Sequence, residues 1–126
     1  MNLIKFNSIY KYQSDKEKYD TSLDIWENPK PDADGFMRCD CESYCEYLLQ
    51  NIDEFKSWER YYCKLNGVGH CVLFKNGDII DCNIRHVVSF ENYYKIYKVT
   101  DLKKYSWFTI FSKKLISKIF LIIKNK

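Results

Sequence analysis

Three residues of this chain have the types and the order of a thiol-dependent catalytic site. Cys41 is followed by His70 and then by Asp81. A cysteine attacks a carbonyl carbon as its thiolate, and a neighbouring imidazole can take the thiol proton. A carboxylate beside the imidazole fixes the ring and stabilises its positive charge. The order Cys, His, Asp therefore indicates nucleophilic attack on an amide, provided that the fold brings the three side chains together.

A helix is predicted to carry Cys41. The segment from about 41 to 50 has apolar residues at the spacing of one helical face: Cys41, Tyr44, Cys45, Leu48 and Leu49. Asp40 stands at the N-cap position, and Glu42 lies in the first turn, where the helix dipole favours an anion. The amino terminus of a helix lowers the pKa of a thiol, and the backbone N–H of Cys41 would face a developing oxyanion.

A hairpin is predicted to carry His70 and Asp81. Asn76 and Gly77 separate two runs of β-branched and aromatic residues, which is the strongest short signal for a two-residue type I′ turn. Counting outward from this turn gives the opposed pairs Phe74 and Ile79, Val72 and Asp81, His70 and Asn83. His70 and Asp81 then become diagonal neighbours on one face of the sheet. Asn83, directly opposite His70, is the alternative orienting group.

The ordered motifs resemble the bacterial transglutaminase-like cysteine proteinases over roughly residues 24–85. The matching residues are Trp26, Pro29, Asp40-Cys41-Glu42-Ser43-Tyr44, Gly69-His70-Cys71-Val72-Leu73 and Ile80-Asp81-Cys82-Asn83. The resemblance implies a papain-like α+β fold, with the nucleophile helix packed on an antiparallel sheet. It also implies Cys41 as nucleophile, His70 as base and Asp81 as orienting residue. Small stand-alone relatives of this family occur in bacteriophages, and a bacterial or phage source is expected.

The chain departs from the family pattern beside the nucleophile. Cys39 replaces a glycine, Ser43 replaces an acidic residue and Cys45 replaces an alanine. Acidic residues flanking the nucleophile bind calcium in periplasmic relatives, but Ser43 removes one of them. We therefore expect no metal and no cofactor. Trp26 and Tyr44 are expected to border the substrate cleft.

The cysteines have two other interpretations. A free cysteine on the apolar face of a helix is often a core residue, and Cys71 and Cys82 are expected to be core thiols on the opposite face of the hairpin. A zinc site would draw on soft ligands from the set Cys39, Cys41, Cys45, Cys63, His70, Cys71, Cys82 and His86. Structural zinc sites usually present paired knuckles, and a second knuckle is missing here.

Charge divides the chain into two parts. Residues 102–126 carry seven lysines and no acidic residue, whereas residues 1–101 carry 13 basic and 17 acidic residues. We assign residues 1–105 to a single hydrolase domain and residues 106–126 to a basic amphipathic helix. Such a helix can lie on a membrane surface, but packing of its apolar stripe onto the domain or onto a dimer partner is the favoured expectation.

The remaining expectations concern partners and location. A net charge of +3 is too small to indicate nucleic acid as a partner. The amino terminus lacks the apolar core of a secretion signal, and the longest apolar run, residues 119–123, is too short to cross a bilayer. We therefore expect a cytoplasmic protein, with peripheral contact to a membrane surface as the alternative.

The expected function is a cysteine peptidase or isopeptidase that acts on a protein or peptide through a thioester acyl-enzyme. The alternatives are acyl transfer to an amine, as in a transglutaminase, and a non-catalytic binding module with the same fold.

Overall fold

An antiparallel sheet of five strands lies at the centre of the structure, which is a computed structural model describing residues 2–125. The helices are α1 (Leu3–Ile9), α2 (Asp15–Tyr19), α3 (Cys41–Asn51), α4 (Phe90–Tyr97) and α5 (Trp107–Lys124), with a 3-10 turn at Asp53–Phe55. The strands are β1 (Tyr10–Tyr12), β2 (Met37–Cys39), β3 (Glu59–Leu65), β4 (Val68–Lys75), β5 (Asp78–Ile80), β6 (Val88–Ser89) and β7 (Val99–Lys104). The α+β class predicted from the sequence is confirmed at this level.

The central sheet has the strand order β6-β5-β4-β3-β7. Strands β1 and β2 form a separate parallel pair, in which Tyr12 lies beside Cys39. Because Cys39 is followed within two residues by α3, this pair places β1 next to the first turn of that helix. The sequence analysis did not predict the parallel pair.

Local side-chain chemistry fixes where α3 begins. The Asp40 carboxylate accepts a hydrogen bond of 3.1 Å from the backbone N–H of Ser43, which is the N-cap arrangement. The helix then runs to Asn51, close to the predicted end. Serine caps begin three further helices in the same way, at Ser14, Ser89 and Ser106.

The predicted hairpin is confirmed as β4 and β5. Asn76 and Gly77 have φ of 52° and 85°, as a type I′ turn requires, and Phe74 pairs with Ile79. The ladder ends at the pair Leu73 and Ile80, so the expected pairing of His70 with Asn83 does not form. The strand stops because Asp81 accepts the backbone N–H groups of the two residues 83 and 84, which turns the chain.

Two apolar clusters cover the two faces of the sheet. On one face, Cys71 and Leu73 of β4 pack with α3 and the amino-terminal segment. On the other face, Val72 and Ile79 pack with Tyr93 of α4. The alternation of side chains along β4 therefore directs neighbouring residues to different layers.

Helix α5 lies within the predicted segment 106–126, but its apolar stripe does not pack onto the domain, which was one of the two favoured arrangements. Its polar side faces the domain: Ser117 is 1% exposed, and its hydroxyl accepts the backbone N–H of Trp26 at 2.7 Å. Its apolar side is exposed, beginning with Trp107 and Phe108. Hydrogen bonds and ion pairs hold the docked side of the helix, together with the edge-on packing of Phe120 against Tyr19. None of the helices in residues 2–125 is long and apolar enough to cross a membrane.

Candidate active site

A surface cleft of about 260 Å³ contains both Cys41 and His70. Cys41 reaches it as the first residue of α3, and His70 reaches it from the beginning of β4. The cleft is lined by Tyr12, Cys41, Leu65, Val68, Gly69, His70, Cys82 and Asn83. The fold therefore places Cys41 and His70, which are 29 residues apart in the sequence, on the walls of one cleft.

A larger cavity of about 810 Å³ lies along β7 and the start of α5. Its walls carry Tyr62, Lys64, Asp101, Leu102, Lys103, Lys104, Tyr105, Ser106 and Thr109. This set contains no thiol, imidazole or paired carboxylates. The chemistry identifies the smaller cleft as the candidate site, although the other cavity is larger.

The imidazole of His70 is held by Asp81. Its Nε2 lies 2.6 Å from Asp81 Oδ2, and the two side chains are 9% and 0% exposed. Because Nε2 is engaged with the carboxylate, Nδ1 is the nitrogen that remains for a proton from the cleft. The contact between His70 and Asp81 was predicted from the hairpin, and it is present.

Asp81 is a buried carboxylate with several donors. Its Oδ1 accepts the backbone N–H groups of Asn83 at 2.9 Å and Ile84 at 2.7 Å, while its Oδ2 accepts the Tyr93 hydroxyl as well as His70. Burial by itself would raise the pKa of Asp81, but the hydrogen bonds and the charge of His70 outweigh it and lower the pKa. Asp81 is thus an anion fixed in the interior, suited to orient His70 and to stabilise an imidazolium.

Asn83 does not orient His70. Its backbone N–H binds Asp81, and its side chain lies at the wall of the cleft. The question that the hairpin register left open is answered in favour of Asp81, because the chain turns before Asn83 could pair with β4.

The thiol of Cys41 is half-buried and neutral at rest. Burial raises its pKa well above the usual value, and the Glu42 carboxyl adds to the effect. Within residues 2–125, no hydrogen bond joins this thiol to His70. The expectation of a thiol acidified by the helix amino terminus is therefore not met in the resting state, since desolvation and negative charge oppose the helix dipole.

Three carboxyl groups converge beside Cys41. Oxygen atoms of Asp15, Asp40 and Glu42 lie within 4.8 Å of one another. Burial and mutual repulsion raise the pKa of Asp15 and of Asp40 to about 8, and burial raises that of Glu42. Such an oxygen set suits a hard divalent cation, and without one the raised pKa values of Asp15 and Asp40 favour their protonated forms at neutral pH. Asp15, which comes from α2, is the member that sequence spacing gave no reason to select.

All six cysteines are free thiols. Five of them are buried and only Cys41 is partly exposed. Cys71 and Cys82 lie together in the core layer that contains α3, as predicted for core thiols. In the part of the chain that the structure describes, the only convergent group of metal-binding type is the carboxyl cluster, so the soft ligands considered for zinc do not meet.

Tyr44 and Trp26 are placed in the interior rather than on the cleft wall. Tyr44 is fully buried, and its hydroxyl donates to the Asn7 side chain at 2.8 Å. Trp26 is 4% exposed and packs edge-on against Tyr105, with ring centroids 5.1 Å apart. The expected substrate-binding role of these two residues is corrected accordingly: both are held by aromatic packing beneath α1 and α5, out of reach of a ligand in the cleft.

Two residues of the site were missed. Tyr93 binds Asp81 from α4, and Tyr12 enters the cleft from β1. Tyr12 is 60% exposed, and its pKa is raised to about 12 by burial of its hydroxyl and by the nearby Cys41. Both come from elements outside the motifs, and the sequence offered no signal for either contact.

Comparison with protein-family models, with curated proteins and with solved structures finds no match to this chain.

Proposed function

We propose that this protein is a cysteine hydrolase of amides, acting on a protein or peptide segment bound in the cleft of Cys41. The observation that carries the proposal is the pair His70 and Asp81, in which Nε2 is fixed by a buried carboxylate while the ring lines the same cleft as the thiol. A buried carboxylate that fixes one ring nitrogen of a histidine, in a cleft that also contains a partly exposed cysteine, is the arrangement expected of a base and its nucleophile.

The proposed reaction begins with proton transfer. His70 Nδ1 takes the proton of the Cys41 thiol as the sulfur attacks the carbonyl carbon, and the backbone N–H of Cys41 donates to the oxyanion. The C–N bond then breaks, and His70 returns the proton to the leaving amine. The product is a thioester on Cys41 and a free amine.

Water completes the cycle. His70 removes a proton from a water molecule that attacks the thioester, the C–S bond breaks, and the thiol regains its proton as the carboxylic acid leaves. Because the resting thiol has a raised pKa, we propose general-base catalysis at each attack rather than a stored ion pair. Asp81 keeps the ring oriented and stabilises the imidazolium in both steps.

The family resemblance supports the same site. The papain-like fold that it implies places a nucleophile at the start of a helix packed on an antiparallel sheet, and α3 packs against β4 in this way. We propose that the chain is a small transglutaminase-like cysteine hydrolase, with Cys41, His70 and Asp81 as its triad.

Thiol alkylation tests the activation of Cys41. Selective labelling alone would report exposure, because the other five thiols are buried. The informative comparison is between His70→Gln and His86→Gln, since these are the two histidines of the chain and His86 is exposed. We expect iodoacetamide to label Cys41 at pH 7 at least about tenfold more slowly in His70→Gln, and at the wild-type rate in His86→Gln. Equal rates in all three proteins would overturn the proposal.

Acyl transfer from a p-nitrophenyl ester tests turnover. The expected result is an initial burst of nitrophenol with one acyl group on Cys41, followed by slow hydrolysis that requires Asp81. Adding a primary amine distinguishes hydrolysis from acyl transfer, because an amide product would indicate transglutaminase chemistry. A protein that folds normally but forms no acyl-enzyme with esters or peptides would be a binding module instead.

A further inference from the structure

Helix α5 is attached to the domain by its polar side. Lys113 pairs with Asp24 at 2.7 Å, Lys114 pairs with Glu46 at 2.7 Å, and Ser117 lies buried between them. A helix of an ordinary domain buries its apolar stripe and exposes its charges. In α5, ion pairs and a hydrogen bond fix which side of the helix faces the domain.

The outward side of α5 is a broad apolar face. We call it the α5 face, and it consists of Trp107, Phe108, Phe111, Leu115, Ile116, Ile119, Ile122 and Ile123. All eight side chains are at least 46% exposed, and Trp107 reaches 75%. Soluble monomers rarely expose contiguous apolar patches of this kind, which mark surfaces that bind protein or membrane.

The width of the α5 face distinguishes between these two occupants. At 3.6 residues per turn, its members spread over about half of the helix circumference. A partner helix, including α5 of a second copy, would cover only the narrower seam typical of a coiled coil. The residues at the two edges of the α5 face would then stay exposed to water. A bilayer interface covers the whole half-cylinder, because lipid surrounds an embedded helix on its entire lower side.

Charge also favours a lipid surface. No acidic residue occurs from 102 to 126, and Lys118 is exposed at the edge of the α5 face. Lys103 is exposed just before the helix, and Trp107 begins it, a residue type enriched at membrane interfaces. The acidic partners Asp24 and Glu46 lie on the domain side and do not face the approaching membrane.

We propose that α5 lies in the interface of an anionic membrane, with the α5 face in the lipid and the domain held at the surface by the polar side of the helix. Like the other described helices, α5 is not long and apolar enough to cross a membrane. This places the hydrolase cleft beside a membrane, but the association does not depend on the chemistry of Cys41.

Vesicle flotation tests the proposal. The full chain is mixed with vesicles of phosphatidylcholine and phosphatidylglycerol, or of phosphatidylcholine alone, and we expect stronger partition into the anionic vesicles. Leu115→Glu and Ile119→Glu, at the middle of the α5 face, should each lower the partition coefficient at least about tenfold. Lys118→Gln should lower it about fivefold, since one lysine contributes about this much near an anionic leaflet.

Two controls keep the result interpretable. Ile96→Glu changes an apolar residue of α4 that is 57% exposed, and it should leave partition unchanged. Cys41→Ala should also bind as the wild type does, so failure of the hydrolase proposal and failure of this one are separate results. Circular dichroism and urea unfolding establish that each variant is folded, as expected for substitutions at exposed positions.

The proposal is overturned if the wild-type protein does not float with anionic vesicles, or if Leu115→Glu floats as well as the wild type. Sedimentation equilibrium tests the competing occupant. A dimer that dissociates in Leu115→Glu, together with no vesicle binding, would identify the α5 face as a contact between two copies.

Discussion

Two opposing influences act on the thiol of Cys41. The amino terminus of α3 favours a thiolate, whereas burial and the neighbouring Glu42 disfavour it, and the second effect dominates. In the proposed mechanism, a thiol of this kind depends on its base at the moment of attack. It is also protected from oxidation and adventitious alkylation, which act on thiolates.

Glu42→Gln should therefore make Cys41 more reactive. The substitution keeps the size of the side chain and removes the nearest charge that raises the pKa of the thiol. We expect the iodoacetamide rate at pH 8 to increase several-fold. Glu17→Gln, in the first turn of α2 and exposed, is the matched control and should have no effect. An unchanged rate in Glu42→Gln would mean that burial alone sets the reactivity.

Tyr93 acts on the site through Asp81. Its hydroxyl donates to the carboxylate that also binds His70, so Tyr93→Phe removes one donor from a buried anion. We expect a loss of roughly 1–3 kcal/mol in the free energy of unfolding. We also expect slower alkylation of Cys41, because His70 is held less firmly.

The pH dependence separates this effect from simple packing. The pKa of Asp81 is lowered in the folded state, so Asp81 contributes to the free energy of unfolding at pH values above the usual pKa of an aspartate. This contribution is lost as the pH falls through the folded pKa. Removing a donor raises that pKa, so Tyr93→Phe should lose stability at a higher pH than the wild type does. Tyr94→Phe, on the same helix but exposed, should follow the wild-type curve. Identical curves for all three proteins would contradict the role of Tyr93.

At the scale of elements, α2 and the start of α3 are joined by carboxyl groups that share protons. Asp15 accepts the backbone N–H of Ile25 at 2.7 Å, and Asp40 caps α3. Both hydrogen bonds can form whether the carboxyl is charged or neutral. Ionisation of Asp15 and Asp40, however, places two buried negative charges next to each other, so the packing of α2 against the start of α3 depends on pH.

Asp15→Asn should flatten the pH dependence of stability. With a folded pKa of about 8 and an ordinary value of 3.8, Asp15 holds a proton in the folded state that the unfolded chain releases. Stability then decreases as the pH rises between these values, by at most about 1.4 kcal/mol per pH unit for each retained proton. Urea unfolding from pH 4 to pH 9 should show a smaller decrease for Asp15→Asn than for the wild type. Asp78→Asn, an exposed change, should leave the slope as it is.

Prediction from the sequence succeeded where the signal was local. The cap at Asp40, the helical spacing after Cys41 and the Asn76-Gly77 turn each act within a few residues, and α3 and the β4–β5 hairpin follow from them. Asn66 and Gly67 form a second turn of the same type between β3 and β4, with φ of 51° and 80°. The same rule applied there would have supplied β3.

The features that were not predicted depend on distant partners. Tyr93 reaches Asp81 only because α4 covers one face of the sheet, and Asp15 reaches Asp40 only because α2 packs beside β2. The orientation of α5 also depends on residues outside the helix. Periodicity identifies its two sides, but Asp24 and Glu46 decide which side faces the domain.

At the scale of the whole molecule, Glu46 joins three elements. It lies on α3, is 1% exposed, and accepts Arg60 of β3 at 2.6 Å and Lys114 of α5 at 2.7 Å. Burial alone would raise its pKa, but these cations and Gln50 lower it. Glu46 thus links α3, the central sheet and α5 through one buried carboxylate.

Glu46→Gln should destabilise the whole fold by roughly 3 kcal/mol, because it leaves two cations without their buried anion. In the wild type, the lowered pKa of Glu46 contributes stability above its usual value of 4.5, and this contribution is lost on acidification. The difference between wild type and variant in urea unfolding should therefore be large at pH 7 and shrink towards pH 3. Glu54→Gln, in the exposed 3-10 turn, controls for removal of a surface charge. If Glu46→Gln costs less than about 1 kcal/mol at pH 7, these ion pairs do not hold α5 on the domain, and the orientation of the α5 face must come from Ser117 and its hydrogen bonds.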